Sequence, residues 1–317
     1  MRIIVVDKHG CQFPHLGHQI KSAFEQLGHE VKAFHYRYLH LEHIPFTNWL
    51  MNRRLIKLAT GWPADFVLVF KGESLLPGTI DAIKKAGIKT ANWSNDEPFG
   101  EILAFNKLSN IAEYDDFFIF DDMYMDRLLA INPDSHHLPP GADPFGVHKE
   151  QIPLAQRTFP ADVCLVGTAY PARIEFLKNF SHRKLALAGP GWDKTDYARI
   201  ARPPVSIIEM VRMFNESKVN LNPHNKGLMV PNVRFFEIPA SKSFQLVNDR
   251  DEFTSFFVPK KEMVMYKDEA ECKEMADYYI DHDEERTKIT QAGYARIIKD
   301  HTIKHRLEKM LKILKLS

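Results

Sequence analysis

Cysteine is scarce, with Cys11, Cys164 and Cys272 the only three in a chain of 317 residues. Far apart and odd in number, they provide neither a disulfide framework nor the paired spacing of a zinc knuckle. An excess of one charge is also lacking, because 42 Lys and Arg offset 41 Asp and Glu to leave a net charge of +1. Such a balance carries no overall electrostatic footprint for nucleic acid or an anionic membrane, and leaves only a local basic patch open. No apolar run approaches the roughly 20 residues that span a bilayer. Met1-Arg2 leads directly into Ile3-Ile4-Val5-Val6-Asp7, a strand rather than the long apolar region of a signal peptide. No transmembrane segment and a cytoplasmic location are therefore expected. The chain also lacks a Walker loop, a G-x-G-x-x-G fingerprint and a G-x-S-x-G elbow. Histidine is abundant near the N-terminus, but His15 and His18 have no acidic residue beside them, and no metal site is expected.

What is present is alternation. Short β-branched runs at 3–6, 30–34, 66–70, 89–93, 117–120 and 136–138 read as strands, with helical periodicity at 16–27, 79–86, 102–109 and 123–131 between them. In the first helix Ile20, Phe24 and Leu27 share one apolar face. Strands alternating with helices predict a parallel sheet covered on both sides. The pattern breaks at Leu138-Pro139-Pro140-Gly141-Ala142-Asp143-Pro144, a Pro/Gly boundary signal. A second series follows, with strands at 162–166, 185–188, 218–221, 244–247 and 263–264. Its helices fall at 172–180, 207–215 and after Pro231, and three more close the chain at 269–280, 284–299 and 303–316. The expected α/β organisation is an N-terminal Rossmann-like domain over 1–145 and a second over 146–302, with the helix of 303–317 returning to the first. Ligands of such sheets sit outside the carboxyl ends of the strands, so the cleft between two facing domains is the expected active site.

Several residues fall at those strand ends. Gly167 lets a backbone approach a phosphate closely, Thr168 offers a hydroxyl, and Arg173 can reach the same anion as a bidentate donor. Gly189-Pro190-Gly191-Trp192 closes another strand, where Trp192 can wall off a nucleobase. An ordinary tight βα turn accounts for either loop as well. Asn222 and Asn232 lie at or beyond further strand ends, where one ligand can touch them together with Gly167 and Gly189. From Pro231 a helix begins, and its start can hold a phosphate on free N–H groups. Arg234 and Glu237 share one face of it: Glu237 suits ribose hydroxyls, and Arg234 either binds phosphate or pairs with Glu237. On the first domain, His9 follows strand one and Asp96 follows the strand at 89–93. Asp96 can act as general base on an acceptor hydroxyl or simply cap a helix. Lys71-Gly72-Glu73 has the same placement and the same two readings.

Together these residues resemble the CgeB-type, spore-maturation-like branch of the GT-B glycosyltransferases. The resemblance is clearest from Asp162 onward. It rests on Val166-Gly167-Thr168 with Arg173, Gly189-Pro190-Gly191-Trp192, Leu221-Asn222-Pro223-His224, Asn232-Val233-Arg234-Phe235-Phe236-Glu237 and Phe244-Gln245-Leu246-Val247. It implies a GT-B fold, two Rossmann-like domains facing each other across a cleft, and transfer of a sugar from a nucleotide diphosphate, with a UDP-sugar favoured. It further implies donor contacts at Gly167, Thr168, Arg173, Gly189, Trp192, Asn222, His224, Asn232, Arg234 and Glu237. His9 and Asp96 would face a glycan, protein or small-molecule acceptor; nucleic acid is not favoured. No cofactor is expected beyond the nucleotide-sugar co-substrate, and no metal, since helix termini and arginine can neutralise a leaving diphosphate. Related retaining enzymes place a second glutamate eight positions before the ribose-binding one, and here that position is Met229. A non-catalytic nucleotide- or sugar-binding relative with a structural role in cell-surface or spore assembly, or a nucleotide-sugar epimerase, are the alternatives.

Overall fold

The computed structural model describes residues 1–8, 16–36, 45–95, 97–99, 107–149, 152–224 and 231–316, without the side chains of 107–109 and 154. His9, Asp96 and Met229 lie outside the described residues. The chain forms two compact units, Met1–Pro140 with Ile303–Ser317, and Gly141–Thr302.

The first unit holds strands β1 (Arg2–Asp7), β2 (Glu30–His35), β3 (Phe66–Phe70), β4 (Lys89–Ser94), β5 (Asp116–Ile119) and β6 (Ser135–His137). All are parallel, in the order β2-β1-β3-β4-β5-β6. Every residue of β3 is buried, as a strand covered on both faces requires. Its helices are α1 (Leu16–Gln26), α2 (Pro45–Gly61), α3 (Thr79–Lys85), α4 (Lys107–Glu113) and α5 (Met125–Leu129). The expected helix over 102–109 is described only from Lys107. Helix α2 was not expected at all, because its buried residues are Asn48, Asn52, Leu55 and Ala59 while Phe46, Trp49 and Leu50 are exposed. Its apolar side chains thus lie on both faces, with Met51, Ile56 and Leu58 packed toward the core beside Leu55 and Ala59. Asn52 holds it in place: Nδ2 donates to Ser74 O at 3.2 Å, and Oδ1 accepts from Leu76 N at 3.0 Å and Thr79 Oγ1 at 2.9 Å.

The second unit contains β7 (Ala161–Val166), β8 (Leu185–Ala188), β9 (Ala201–Arg202), β10 (Ser217–Asn222), β11 (Gln245–Asn248) and β12 (Val264–Tyr266). Their order, β9-β8-β7-β10-β11-β12, is that of a dinucleotide-type Rossmann sheet, and the direction of winding switches between β7 and β10. The helices are α6 (Pro171–Leu177), α7 (Ile207–Asn215), α8 (Arg234–Ala240), α9 (Glu269–Asp281) and α10 (Asp283–Asp300). Ser206 and Glu209 form a full capping box on α7. One core packs α9 beneath β7, β8 and β10 through Leu165, Leu187, Leu221 and Ile280. A second, aromatic core gathers Phe235, Phe236, Phe253 and Phe257 around α8. The last helix, α11 (Ile303–Ile313), belongs to the first unit, where Arg306 Nε donates to Pro139 O at 3.1 Å and Pro140 O at 3.0 Å.

Candidate functional site

The switch point of the second sheet places the turn after β7 beside the end of β10, and the expected donor residues gather around it. Gly167 N donates to Ala188 O at 2.8 Å and Ala169 N to Pro190 O at 2.9 Å, so the two glycine turns are fastened side by side. Gly189 has φ +138°, a conformation L side chains rarely adopt, and a Cβ there would overlap the Gly167 carbonyl, 2.7 Å from its carbon. Trp192 corrects the sequence reading. Its indole is 1% exposed, and Nε1 donates to Gly167 O at 2.8 Å. It supports the glycine turn from within the core instead of forming an open wall for a base.

Arg173, near the start of α6, reaches across the switch point. Its Nη1 donates to Thr168 O at 3.1 Å and its Nη2 to Pro223 O at 3.4 Å, while Nε is buried without a hydrogen bond. A Cβ on Gly167 would lie 2.5 Å from Nη1, so the missing side chain is what lets the guanidinium lie over the turn. Burial, and then the positive charge of Arg234, lower the Arg173 pKa. Two cations in one partly buried place are an electrostatic cost that an anion would relieve.

Beyond β10 the chain is held by amides. Asn232 Nδ2 donates to Asn222 Oδ1 at 2.9 Å and Asn222 Nδ2 returns a bond to Asn232 Oδ1 at 3.2 Å, with Gln245 Oε1 a further acceptor at 3.1 Å. Asn232 Oδ1 also accepts from Phe235 N at 3.1 Å, as a cap on the first turn of α8. His224 occupies the middle. Nδ1 donates to Asn222 O at 3.2 Å, Nε2 accepts from Asn232 N at 2.9 Å, and the His224 N–H donates to Asn248 Oδ1 at 2.8 Å. The Asn232 N–H is therefore engaged by an imidazole rather than offered to a phosphate, which corrects that part of the helix-start reading. With seven residues, α8 is also a short helix with little dipole to offer. His224 and Asn232 frame the site, and the charged groups beside them would have to do the binding.

Burial pushes the His224 imidazole down to about 3 from 6.5. The folded state thus refuses a proton that the unfolded chain accepts near pH 6.5. Stability from this residue is present above about pH 6.5 and is lost as the pH falls toward about 3. Imidazole NMR is expected to show a neutral Nδ1–H tautomer with no titration down to pH 4, roughly a unit above that value. Titration near pH 6.5 would refute the assignment.

Glu237 is 7% exposed at its side chain, accepts a hydrogen bond from Arg234, and places Oε1 3.9 Å from His148 Nε2. His148 is fully buried, Nδ1 donates to Asp143 O at 3.0 Å, and burial lowers its pKa, so the neutral ring turns its Nε2 lone pair toward the carboxylate. Asp143 Oδ1 accepts from Gly146 N at 2.8 Å, whereas Oδ2 is buried without a hydrogen bond. Sequence reasoning took Asp143 only as part of a hinge and missed His148, which belongs to no periodic or spaced pattern. Arg234 Nε is likewise buried without a hydrogen bond.

In the first unit, the ends of β1 and β3 carry Asp7 and Lys71, and the neighbouring Glu73 accepts from the Tyr36 hydroxyl and lies 3.8 Å from Lys8 Nζ. His9 and Asp96, expected beside these groups, lie outside the described residues. Among the described residues no cluster of His, Cys, Asp and Glu could hold a metal ion, and no helix is long and apolar enough to cross a membrane.

A family model described as "Glycosyl transferase-like" matches residues 172–312. The spore protein CgeB of Bacillus subtilis is 22% identical over 275 residues, which are 77% of this chain and 80% of that protein. Among solved structures, an alpha-glucosyltransferase in complex with UDP and a 13-mer DNA containing an HMU base has a TM-score of 0.71 at 12% identity, over 99% of each chain. Anabaena HepE in complex with UDP and glucose has a TM-score of 0.64 at 9% identity, again over 99% of each chain. At such identities the structures speak for the fold alone, and with the two parallel sheets they show the two-domain α/β GT-B type. The family-model match over residues 172–312 and the CgeB relative make this chain similar to CgeB and to glycosyl transferase-like proteins.

Proposed function

We propose that the protein is a hexosyltransferase that moves a sugar from a UDP-linked donor to an acceptor hydroxyl without a metal. The observation that carries the reading is the meeting of Arg173, Arg234 and Glu237 at the switch point of a Rossmann sheet, with the Arg173 guanidinium lying over the Gly167 turn. Arg173 and Arg234 would bind the diphosphate and neutralise it as it leaves, the task a divalent cation performs elsewhere. Glu237 would accept the ribose hydroxyls, with Gly167 and Thr168 against the phosphates. The UDP in the two solved relatives supports the choice of nucleotide. His9 and Asp96 are proposed for the acceptor side, with Asp96 as base.

The position of Met229 favours a second reading, a nucleotide-binding relative that does not turn its donor over. The two separate cleanly in one experiment. Titration calorimetry with UDP, GDP and ADP is expected to show binding of UDP with EDTA present, and UDP-glucose is expected to be consumed when an acceptor is supplied. UDP binding with neither transfer nor hydrolysis would select the second reading, and no heat with any nucleotide at millimolar concentration would overturn both.

A further inference from the structure

Helix α2 carries apolar side chains on both faces: Leu55 and Ala59 sit in the core with Met51, Ile56 and Leu58 packed against it, while three large apolar residues face away. Its buried stripe includes Asn48 and Asn52, and Asn52 ties it to the segment leading into α3 by hydrogen bonds. Its solvent face carries Phe46 at 67% exposure, Trp49 at 48% and Leu50 at 43%, followed by exposed Arg53, Arg54 and Lys57. At 3.6 residues per turn, Phe46, Trp49, Leu50, Arg53 and Lys57 form one stripe, with Arg54 at its edge. The helix contains no acidic residue, although the chain as a whole is balanced at +1. Among the described residues, neither packing nor capping calls for three large apolar side chains in water, and exposed apolar groups gathered in one place signify a contact surface.

We propose that this face of α2 docks on an anionic lipid surface, a property separate from the sugar-transfer reading. Basic side chains interleaved with aromatic and aliphatic ones are what an interfacial helix presents, the cations meeting lipid phosphates and the apolar groups entering the headgroup boundary. The aromatic geometry favours lipid over nucleic acid. Phe46 and Trp49 stack on each other with centroids 6.0 Å apart, and Arg53 lies over the Trp49 ring at 5.4 Å. A ring face turned to another ring or to a guanidinium is taken from stacking bases, whereas an aromatic pair beside the exposed Leu50 suits insertion among acyl chains. A second copy is also a poor occupant, because three side chains are far short of the roughly 800 Å² per partner that a stable interface buries.

The full-length chain is to be floated with vesicles of phosphatidylcholine alone and of phosphatidylcholine mixed with phosphatidylglycerol, at low salt. It is expected to rise with the mixed vesicles only, with a blue shift of its fluorescence that disappears in Trp49→Ser. The pair Phe46→Ser and Trp49→Ser should lower partitioning at least about tenfold. Arg53→Glu with Arg54→Glu should abolish it, and the melting temperature should change little in either pair, because these side chains are exposed. A wild-type chain that stays below the anionic vesicles overturns the proposal, as does a Phe46/Trp49 variant that floats like wild type. Loss of a dimer in sedimentation, or of single-stranded oligonucleotide binding, in the same variants without any lipid effect would assign the face to that other partner and overturn it equally.

Discussion

Glu237→Gln is expected to weaken UDP binding by about ten- to a hundredfold while the melting temperature of the nucleotide-free protein stays near that of the wild type. A carboxylate accepting ribose hydroxyls makes charge-assisted hydrogen bonds, and losing that charge costs about 1.5–3 kcal/mol. Glutamine keeps the length and one oxygen for the hydrogen bond from Arg234. Alanine would be a poorer probe, since it removes the acceptor of the Arg234 hydrogen bond together with the charge. Calorimetry with UDP, paired with a melt in its absence, separates the two effects. Wild-type affinity in the glutamine variant would remove Glu237 from the donor site, whereas a large drop in melting temperature would make its role structural.

Gly189→Ala is expected to be the most damaging single-methyl change in the second unit. The added carbon meets the backbone of the Gly167 turn rather than a side chain that could swing away, at a φ of +138° that alanine resists. Backbone strain and overpacking together amount to roughly 2–6 kcal/mol, a large part of a domain's stability. Chemical denaturation should show a much lower midpoint, or the variant should fail to accumulate as folded protein. Because Gly167 N is bonded to Ala188 O and Trp192 to Gly167 O, the damage should also reach UDP binding in whatever fraction folds. A variant as stable as wild type would mean that the two turns are not packed as described.

The strands were legible because their apolar runs are short, β-branched and bounded by turns, as Phe66–Phe70 illustrates. The strand ends then pointed to Gly167, Gly189 and Asn222, since a parallel sheet delivers its ligands there. Helix α2 was illegible for a physical reason: its inward stripe contains amides whose partners are elsewhere in the chain, and apolar residues lie on both faces, so no single apolar stripe stands out. Trp192 was misassigned because an indole after two glycines looks the same in sequence whether its N–H awaits a ligand or a carbonyl 25 residues away. His148 was invisible, as its closeness to Glu237 is set by the fold and by no spacing along the chain. The exchange of amide bonds between Asn222 and Asn232 is of the same kind.

The amide and imidazole lattice around His224 has a consequence for how the site should respond to its medium. Among the described residues, the side chains that link Asn222 and His224 to Asn232, Gln245 and Asn248 are neutral amides and an unprotonated histidine, with the Arg173 guanidinium bonded to the neighbouring Pro223 carbonyl. Uncharged hydrogen bonds are nearly indifferent to ionic strength, whereas Arg173, Arg234 and Glu237 are not. The frame should thus keep its shape across salt concentrations and from neutral pH upward while the grip on an anionic ligand weakens as salt is added, so that geometry and affinity are governed by two separate sets of side chains.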